Sequence, residues 1–149
     1  MKRIISFLLC FLLIFALPFS ASAAEPVSAA SQQVINLGNG LIAIDEIQEV
    51  SSIRAALGKT VTRTRTIKDG DTVVAIITIQ ATFRYDGTTV SVISKGINQA
   101  DTFEGWKYEQ ISFTSSGGTV TLEAKLTKWL IFNSPFTMTL SCDKDGNIY

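Results

Sequence analysis

The chain contains no histidine and only two cysteines among its 149 residues. Without histidine it cannot form a Ser-His-Asp or Cys-His catalytic arrangement, a His-ligated zinc site or an imidazole acid-base pair. Cys10 lies in a segment that we expect to be removed, so Cys142 remains alone and the mature domain has no internal disulfide. Its stability must therefore come from core burial and strand pairing.

The chain also lacks an excess of positive charge, with 13 basic and 13 acidic side chains. Removal of the N-terminal segment takes away Lys2 and Arg3 and leaves 11 basic and 13 acidic side chains. A protein that binds a phosphate backbone normally presents a clearly basic face. We therefore expect no nucleic-acid partner.

The N-terminus has the pattern of a secretory signal peptide. Two basic residues precede the apolar run 4–19, and Ala21-Ser22-Ala23 supplies the small residues that a signal peptidase reads. The run has 16 residues and is followed by no basic stop-transfer cluster, whereas a transmembrane helix needs about 20 residues. We predict a signal peptide over 1–23, secretion of the remaining chain, and no membrane contact after cleavage.

The rest of the chain is predicted to be a flexible leader, 24–33, followed by a single β domain, 34–149. A first hairpin is predicted around Gly38-Asn39-Gly40. The segment 45–57 is where a short helix competes with a strand, because its apolar residues recur at helical spacing and because Asp45 and Gly58 are suitable capping residues.

From residue 61 onward, alternating apolar and polar residues predict strands. The longest alternation, 73–85, is predicted to be a central strand. The segment 61–67 has threonines on one face and two arginines on the other. This pattern favours an edge strand or a strand whose central residues are solvated. The segment 95–107 is predicted as a long loop or an irregular edge. Seven or eight strands with short turns predict an antiparallel β-sandwich, with a small β-barrel as the alternative.

Aromatic residues are the first candidates for a binding site, because exposed rings stack on sugars and contact partner proteins. Trp129 falls on the polar register of its strand, and Trp106 lies in a glycine-containing segment. Large aromatics in a small domain also serve as core, and that alternative stays open for each of them. The candidates are Trp106, Trp129, Tyr108, Phe103 and Tyr85.

Charged residues supply further candidates. Arg63 and Arg65 lie two apart on one strand face and are predicted either to bind an anionic polymer, such as a teichoic acid or an acidic glycan, or to protect a strand edge. Asp143 and Asp145 are weak metal candidates, because the segment resembles the opening of a Ca²⁺ loop but lacks its distal acid, which favours a terminal turn. We expect no cofactor. Cys142 shares an inward register with apolar residues, which predicts a buried thiol.

A carboxylate pair is the one hydrolytic arrangement that needs no histidine, since two facing acids can cleave a glycosidic bond. Solvated surface and turn positions are the favoured alternative for these acids. The residues concerned are Asp45, Glu46, Glu49, Asp101, Glu104 and Glu109.

Three strand-and-turn motifs carry a resemblance to a family. They are Leu37–Ile47, Thr78–Gly87 and Thr137–Asp143, in the sequence LGNGLIAIDEI, TIQATFRYDG and TMTLSCD. In this order, after a signal peptide, they resemble an uncharacterised family of small secreted all-β proteins from gut and soil Firmicutes. The resemblance implies secretion by a Gram-positive bacterium and a β fold, and it carries over no catalytic residue.

These observations predict a non-catalytic secreted binding module that recognises an extracellular or cell-surface protein or glycan. A secreted effector, either a toxin or an enzyme inhibitor, is the second hypothesis. A carboxylate-pair glycoside hydrolase is the third.

Overall fold

The computed structural model describes residues 31–53, 58–129 and 131–149, which form eight β-strands. The predicted signal peptide and most of the predicted leader lie outside the described residues. No helix in the described part of the chain is long and apolar enough to cross a bilayer. The strands are β1 (Ser31–Gly38), β2 (Leu41–Ile53), β3 (Gly58–Asp69), β4 (Thr72–Tyr85), β5 (Val90–Thr102), β6 (Trp106–Ser116), β7 (Thr119–Lys128) and β8 (Phe132–Ser141).

The strands form two antiparallel sheets in which each strand pairs with its neighbour in sequence. One sheet has the order β1-β2-β3-β4-β5, and the other has the order β6-β7-β8. This arrangement confirms the predicted antiparallel β-sandwich. Within the described ranges no ladder closes the sheets into the alternative barrel.

The core lies between the sheets and follows the period-2 alternation of the strands. β4 pairs with β3 on one side and β5 on the other, which confirms that it is a central strand. Burial of each large apolar side chain contributes about 1.5–3 kcal/mol. The core residues of β4, β7 and β8 include Ala75, Ile77, Ile79, Ala81, Phe83, Val120, Leu122, Ala124, Leu126, Phe136, Met138 and Leu140.

The helix considered for 45–57 is wrong for the described part of that segment, because β2 continues to Ile53. Residues 54–57 lie outside the described residues. Strand pairing on both sides decides the conformation, since Asp45 lies between Gln33 of β1 and Arg65 of β3. Tertiary pairing of this kind routinely overrides a local helical spacing.

Of the two alternatives for 95–107, the long loop is wrong, because β5 runs to Thr102 and only 103–105 form the turn into β6. The irregular edge is confirmed for 95–102, since β5 is the last strand of the five-stranded sheet. Two bulges interrupt the pairing of β4 with β5. Each bulge shifts the inward and outward alternation by one residue, which hides the strand from a period-2 pattern. The first strand begins at Ser31, three residues before its predicted start.

Neither alternative predicted for 61–67, an edge strand or a strand with solvated central residues, is correct. β3 lies between β2 and β4 in the five-stranded sheet. The threonines occupy one face, and the arginines point into the sandwich, where they are buried. A buried ion-pair cluster, described below, explains how arginines occupy an interior strand.

Four turns gather at one end of the sandwich, which we call the tip end. The pairing of Leu41 with Asp69 places the β1–β2 and β3–β4 turns together. Trp106 pairs with Lys128, so the β5–β6 and β7–β8 turns are also neighbours. Ala75, near the start of β4, pairs with Thr102 at the end of β5. The β3–β4 turn and the β5–β6 turn therefore lie at the same end of the sandwich.

Candidate functional site

Apolar side chains are exposed together on two neighbouring turns of the tip end. Trp129 and Ile131 are 74% and 80% exposed, and Phe103 and Phe132 are exposed as well. Lys128 adjoins them at the end of β7. We call these five residues the tip patch.

Trp106 supports the tip patch from inside the fold. It is only 5% exposed and its ring lies 6.0 Å from the ring of Phe132, centroid to centroid. The Lys128 ammonium lies 5.6 Å from the Trp106 ring and 5.2 Å from the Trp129 ring. Such distances are within the range of a cation–π interaction. Of the two tryptophans, therefore, Trp129 is at the surface and Trp106 belongs to the core.

The backbone of Trp129 adopts a left-handed conformation, with a φ of 52°. This conformation costs a non-glycine residue about 1–2 kcal/mol. The other described turns between strands place glycine in this region, alone or beside Asn39 or Glu104. A bulky, largely exposed aromatic residue held in this conformation is an example of the local strain that clusters at functional sites.

Tyr108 lies on β6 opposite Leu126 and packs against the core, so it does not belong to the tip patch. It is half-buried, and burial raises the pKa of its phenol. Its hydroxyl, Trp106 Nε1 and Ser134 Oγ are buried and make no hydrogen bond within the described protein. Tyr85, the remaining aromatic candidate, packs against the core near the opposite end.

Arg63 and Arg65 lie side by side on the inner face of β3 and share one carboxylate, that of Asp45 on β2. All three residues are buried, at 8%, 2% and 1% exposure. Arg65 donates from Nε to Oδ1 at 2.6 Å and from Nη2 to Oδ2 at 2.6 Å. Arg63 donates from Nε and Nη2 to Oδ2 at 2.9 and 2.6 Å. We call these three residues the ion triad.

The ion triad joins the two sheets. Arg65 Nη1 donates to the carbonyl of Thr137 at 2.9 Å, and Arg63 Nη1 donates to the carbonyl of Thr139. Both carbonyls belong to β8, which is an edge strand. The arginines therefore cover a strand edge, but it is the edge of β8 and not that of their own strand. Their guanidinium groups face the interior and not the solvent.

A polar cleft of about 470 Å³ opens beside the ion triad, at the opposite end from the tip patch. Lys59 Nζ lies 3.1 Å from the Glu49 carboxylate and donates to the Gly146 carbonyl at 3.0 Å. The cleft is lined by Gln33, Ile47, Glu49, Lys59, Val61, Arg63, Gly146, Asn147, Ile148 and Tyr149.

The comparisons with known proteins find nothing. No family model, no curated protein and no solved structure matches this chain. The resemblance to the Firmicutes family therefore stays a prediction, and the functional argument rests on the geometry of the fold.

The structure separates most of the acidic candidates and gives several of them a polar partner. Asp45 belongs to the ion triad, Glu49 pairs with Lys59, and Glu109 pairs with Lys125 at 3.0 Å. Asp101 accepts a hydrogen bond from Gln99 at 2.7 Å, and Glu104 lies in the exposed β5–β6 turn. Glu46 is exposed on β2.

Asp143 and Asp145, the weak metal candidates, form a turn that closes on itself. The Asp143 carboxylate accepts hydrogen bonds from the Asn147 side chain, the Tyr149 hydroxyl and the backbone amides of Asp145 and Asn147. Asp145 pairs with Lys144. Among the described residues, no three metal-ligating side chains of the His, Cys, Asp or Glu type come together.

The C-terminal turn is expected to loosen in acid. Hydrogen bonds, led by that from the Asn147 side chain, hold the pKa of Asp143 well below its ordinary value of 3.8. The ionised carboxylate therefore stabilises the folded turn. This stabilisation is complete at a pH above the ordinary pKa, and it is lost as the pH falls from there toward the lowered pKa. The protection of the Asn147 and Tyr149 amides against hydrogen exchange, measured relative to the intrinsic rate at each pH, should decrease between about pH 5 and about pH 2. Asp143→Asn should remove this dependence, and a protection factor that does not change in acid in the wild type would contradict it.

The buried thiol predicted at Cys142 is confirmed. Cys142 is buried and forms no disulfide within the described ranges, and burial raises the pKa of the thiol. By contrast, sequence reasoning missed Ile131 and Phe132 as surface residues and Asp45 as the partner of two arginines. One signal for the tip patch was available in the sequence, namely that 129–132 are all apolar and include no glycine, asparagine or aspartate.

Proposed function

We propose that this protein is a secreted, non-catalytic binding module that contacts a cell surface or extracellular partner through the tip patch. The observation that carries the proposal is Trp129, a largely exposed aromatic in a strained backbone conformation. Clustered exposed apolar side chains mark interaction surfaces, and tryptophan is enriched among the residues that dominate binding energy.

The energetic cost of the tip patch supports the same proposal. Leaving a large apolar side chain in water forgoes about 1.5–3 kcal/mol relative to burying it. Trp129 and Ile131 are each mostly exposed, and Trp129 adds the cost of its left-handed backbone. A partner that covers both side chains recovers this free energy on binding.

Trp129→Asn should separate binding from stability. Asparagine tolerates the left-handed conformation, so the free energy of unfolding should stay level or rise by about 1 kcal/mol. Binding should fall at least tenfold, because the largest exposed side chain is removed. The measurements are urea unfolding and the binding of labelled mature protein to Gram-positive cells, isolated cell wall and arrayed glycans.

The matched control is Ile93→Thr, which removes an exposed apolar side chain from β5, outside the tip patch. It should leave binding unchanged. Equal binding by Trp129→Asn and the wild type, or an equal loss in Ile93→Thr, would rule out the tip patch as the contact surface.

A further inference from the structure

We propose that the tip patch inserts into the interfacial region of a lipid bilayer and holds the protein on the membrane surface. This inference rests on the proposed function and names the class of its partner. It departs from the sequence-based expectation of no membrane contact after signal cleavage. Insertion by two turns needs no membrane-spanning element.

The chemistry of the tip patch favours lipid over glycan. Four of its five members are aromatic or aliphatic, and the fifth is Lys128. The patch contains no hydroxyl, amide or carboxylate side chain, whereas a sugar site needs placed polar groups that fix the orientation of the ligand. Tryptophan at the level of the headgroups and aliphatic side chains below them is the composition of an interfacial anchor.

The size of the tip patch favours lipid over a protein partner. A stable protein interface buries about 800 Å² on each side and involves about 20–30 residues. The tip patch is confined to two turns and projects from the end of the sandwich. A bilayer needs no matching shape, because its acyl chains and headgroups rearrange around inserted side chains.

Lys128 lies where an interfacial lysine is expected. Its ammonium is within 6 Å of both tryptophan rings, at 5.6 and 5.2 Å. Lysine covers apolar surface with its stem while its charge remains in the polar layer. In the inserted state the ammonium would therefore lie at the level of the lipid phosphates.

The charges around the tip end favour a zwitterionic membrane. Acidic side chains slightly outnumber basic ones on the four turns and the adjoining strand ends, so attraction to anionic lipid is not the driving force. Binding should consequently change little with salt, since screening acts on charge attraction and not on apolar burial. The charged residues at this end are Asp69, Asp71, Asp101, Glu104, Lys68, Lys107 and Lys128.

The experiment uses the two tryptophans, one buried and one exposed. In Trp106→Phe, Trp129 is the only tryptophan, and its emission should shift to the blue when phosphatidylcholine vesicles are added. Lipids brominated near the top of the acyl chain should quench it. Co-sedimentation of the wild-type protein with the same vesicles provides the measurement if Trp106→Phe fails to fold.

Ile131→Asn should weaken vesicle binding at least tenfold, and Ile93→Asn should leave it unchanged. Absence of both a blue shift and co-sedimentation overturns the inference, as does binding that requires phosphatidylglycerol and is reversed by salt. If vesicles are not bound but a protein or glycan is bound in a Trp129-dependent manner, the lipid inference fails and the proposed function stands. If no binding of any kind depends on Trp129, both fail.

Discussion

Asp45→Ala is expected to destabilise the fold by about 3–5 kcal/mol, because it leaves two guanidinium groups buried without their counter-ion. In the native protein both arginines donate two hydrogen bonds each to this one carboxylate. Alanine removes all four bonds. It also frees the guanidinium groups to move away from the β8 carbonyls that they cover.

Urea unfolding of the protein provides the measurement, with Glu49→Ala as the control. Glu49 also pairs with a basic residue, Lys59, but the pair is partly exposed and worth about 0–1 kcal/mol. Asp45→Asn should be intermediate, since it keeps one oxygen acceptor and loses the charge. A loss below about 1 kcal/mol for Asp45→Ala would show that the ion triad does not hold the sheets together.

Gly118→Ala is expected to cost about 2–3 kcal/mol, at the upper end of the range for overpacked sites. A Cβ atom at this position would collide with the Cys142 carbonyl and lie 2.7 Å from Val90 Cγ1. The Gly118 carbonyl also accepts the Cys142 amide at 2.8 Å. The neighbouring strand end and the C-terminal segment therefore pack directly against this backbone, and neither can move without breaking pairing.

The adjacent glycine provides a matched control for this substitution. Gly117 has a positive φ of 55° and no atom within 4 Å of a Cβ position. Gly117→Asn should therefore change the free energy of unfolding by only a few tenths of a kcal/mol, because asparagine tolerates this conformation. Equal stability of Gly118→Ala and the wild type in urea would mean that the C-terminal segment does not pack on the β6–β7 turn.

Strand content was predictable where the alternation is unbroken. The buried residues of β4 from Ala75 to Phe83, and those of β7, occupy every second position, and both strands lie where this pattern placed them. The pattern failed at β5, where two bulges shift the alternation. It also failed at β2, because the spacing of a few apolar residues cannot show that two neighbouring strands will pair on either side.

For the candidate site, too, the sequence predicted part of the arrangement and the tertiary fold decided the rest. The register of Trp129 identified it as a possible surface residue, but two alternatives stayed open for each tryptophan. The fold resolved them by pairing Trp106 with Lys128, which buries one ring beneath the turn and leaves the other outside it. Phe103 joins the patch only because the β5–β6 turn crosses from one sheet to the other at this point.

By itself, the sequence determined the class of the fold and excluded histidine chemistry, because both depend on residue type and on a local period of two. Tertiary structure decided the role of the arginines. On an isolated strand Arg63 and Arg65 are two charges on one face, and only the pairing of β2 with β3 brings Asp45 between them. A contact between residues 18 and 20 positions apart depends on register and sheet order, which no local pattern contains.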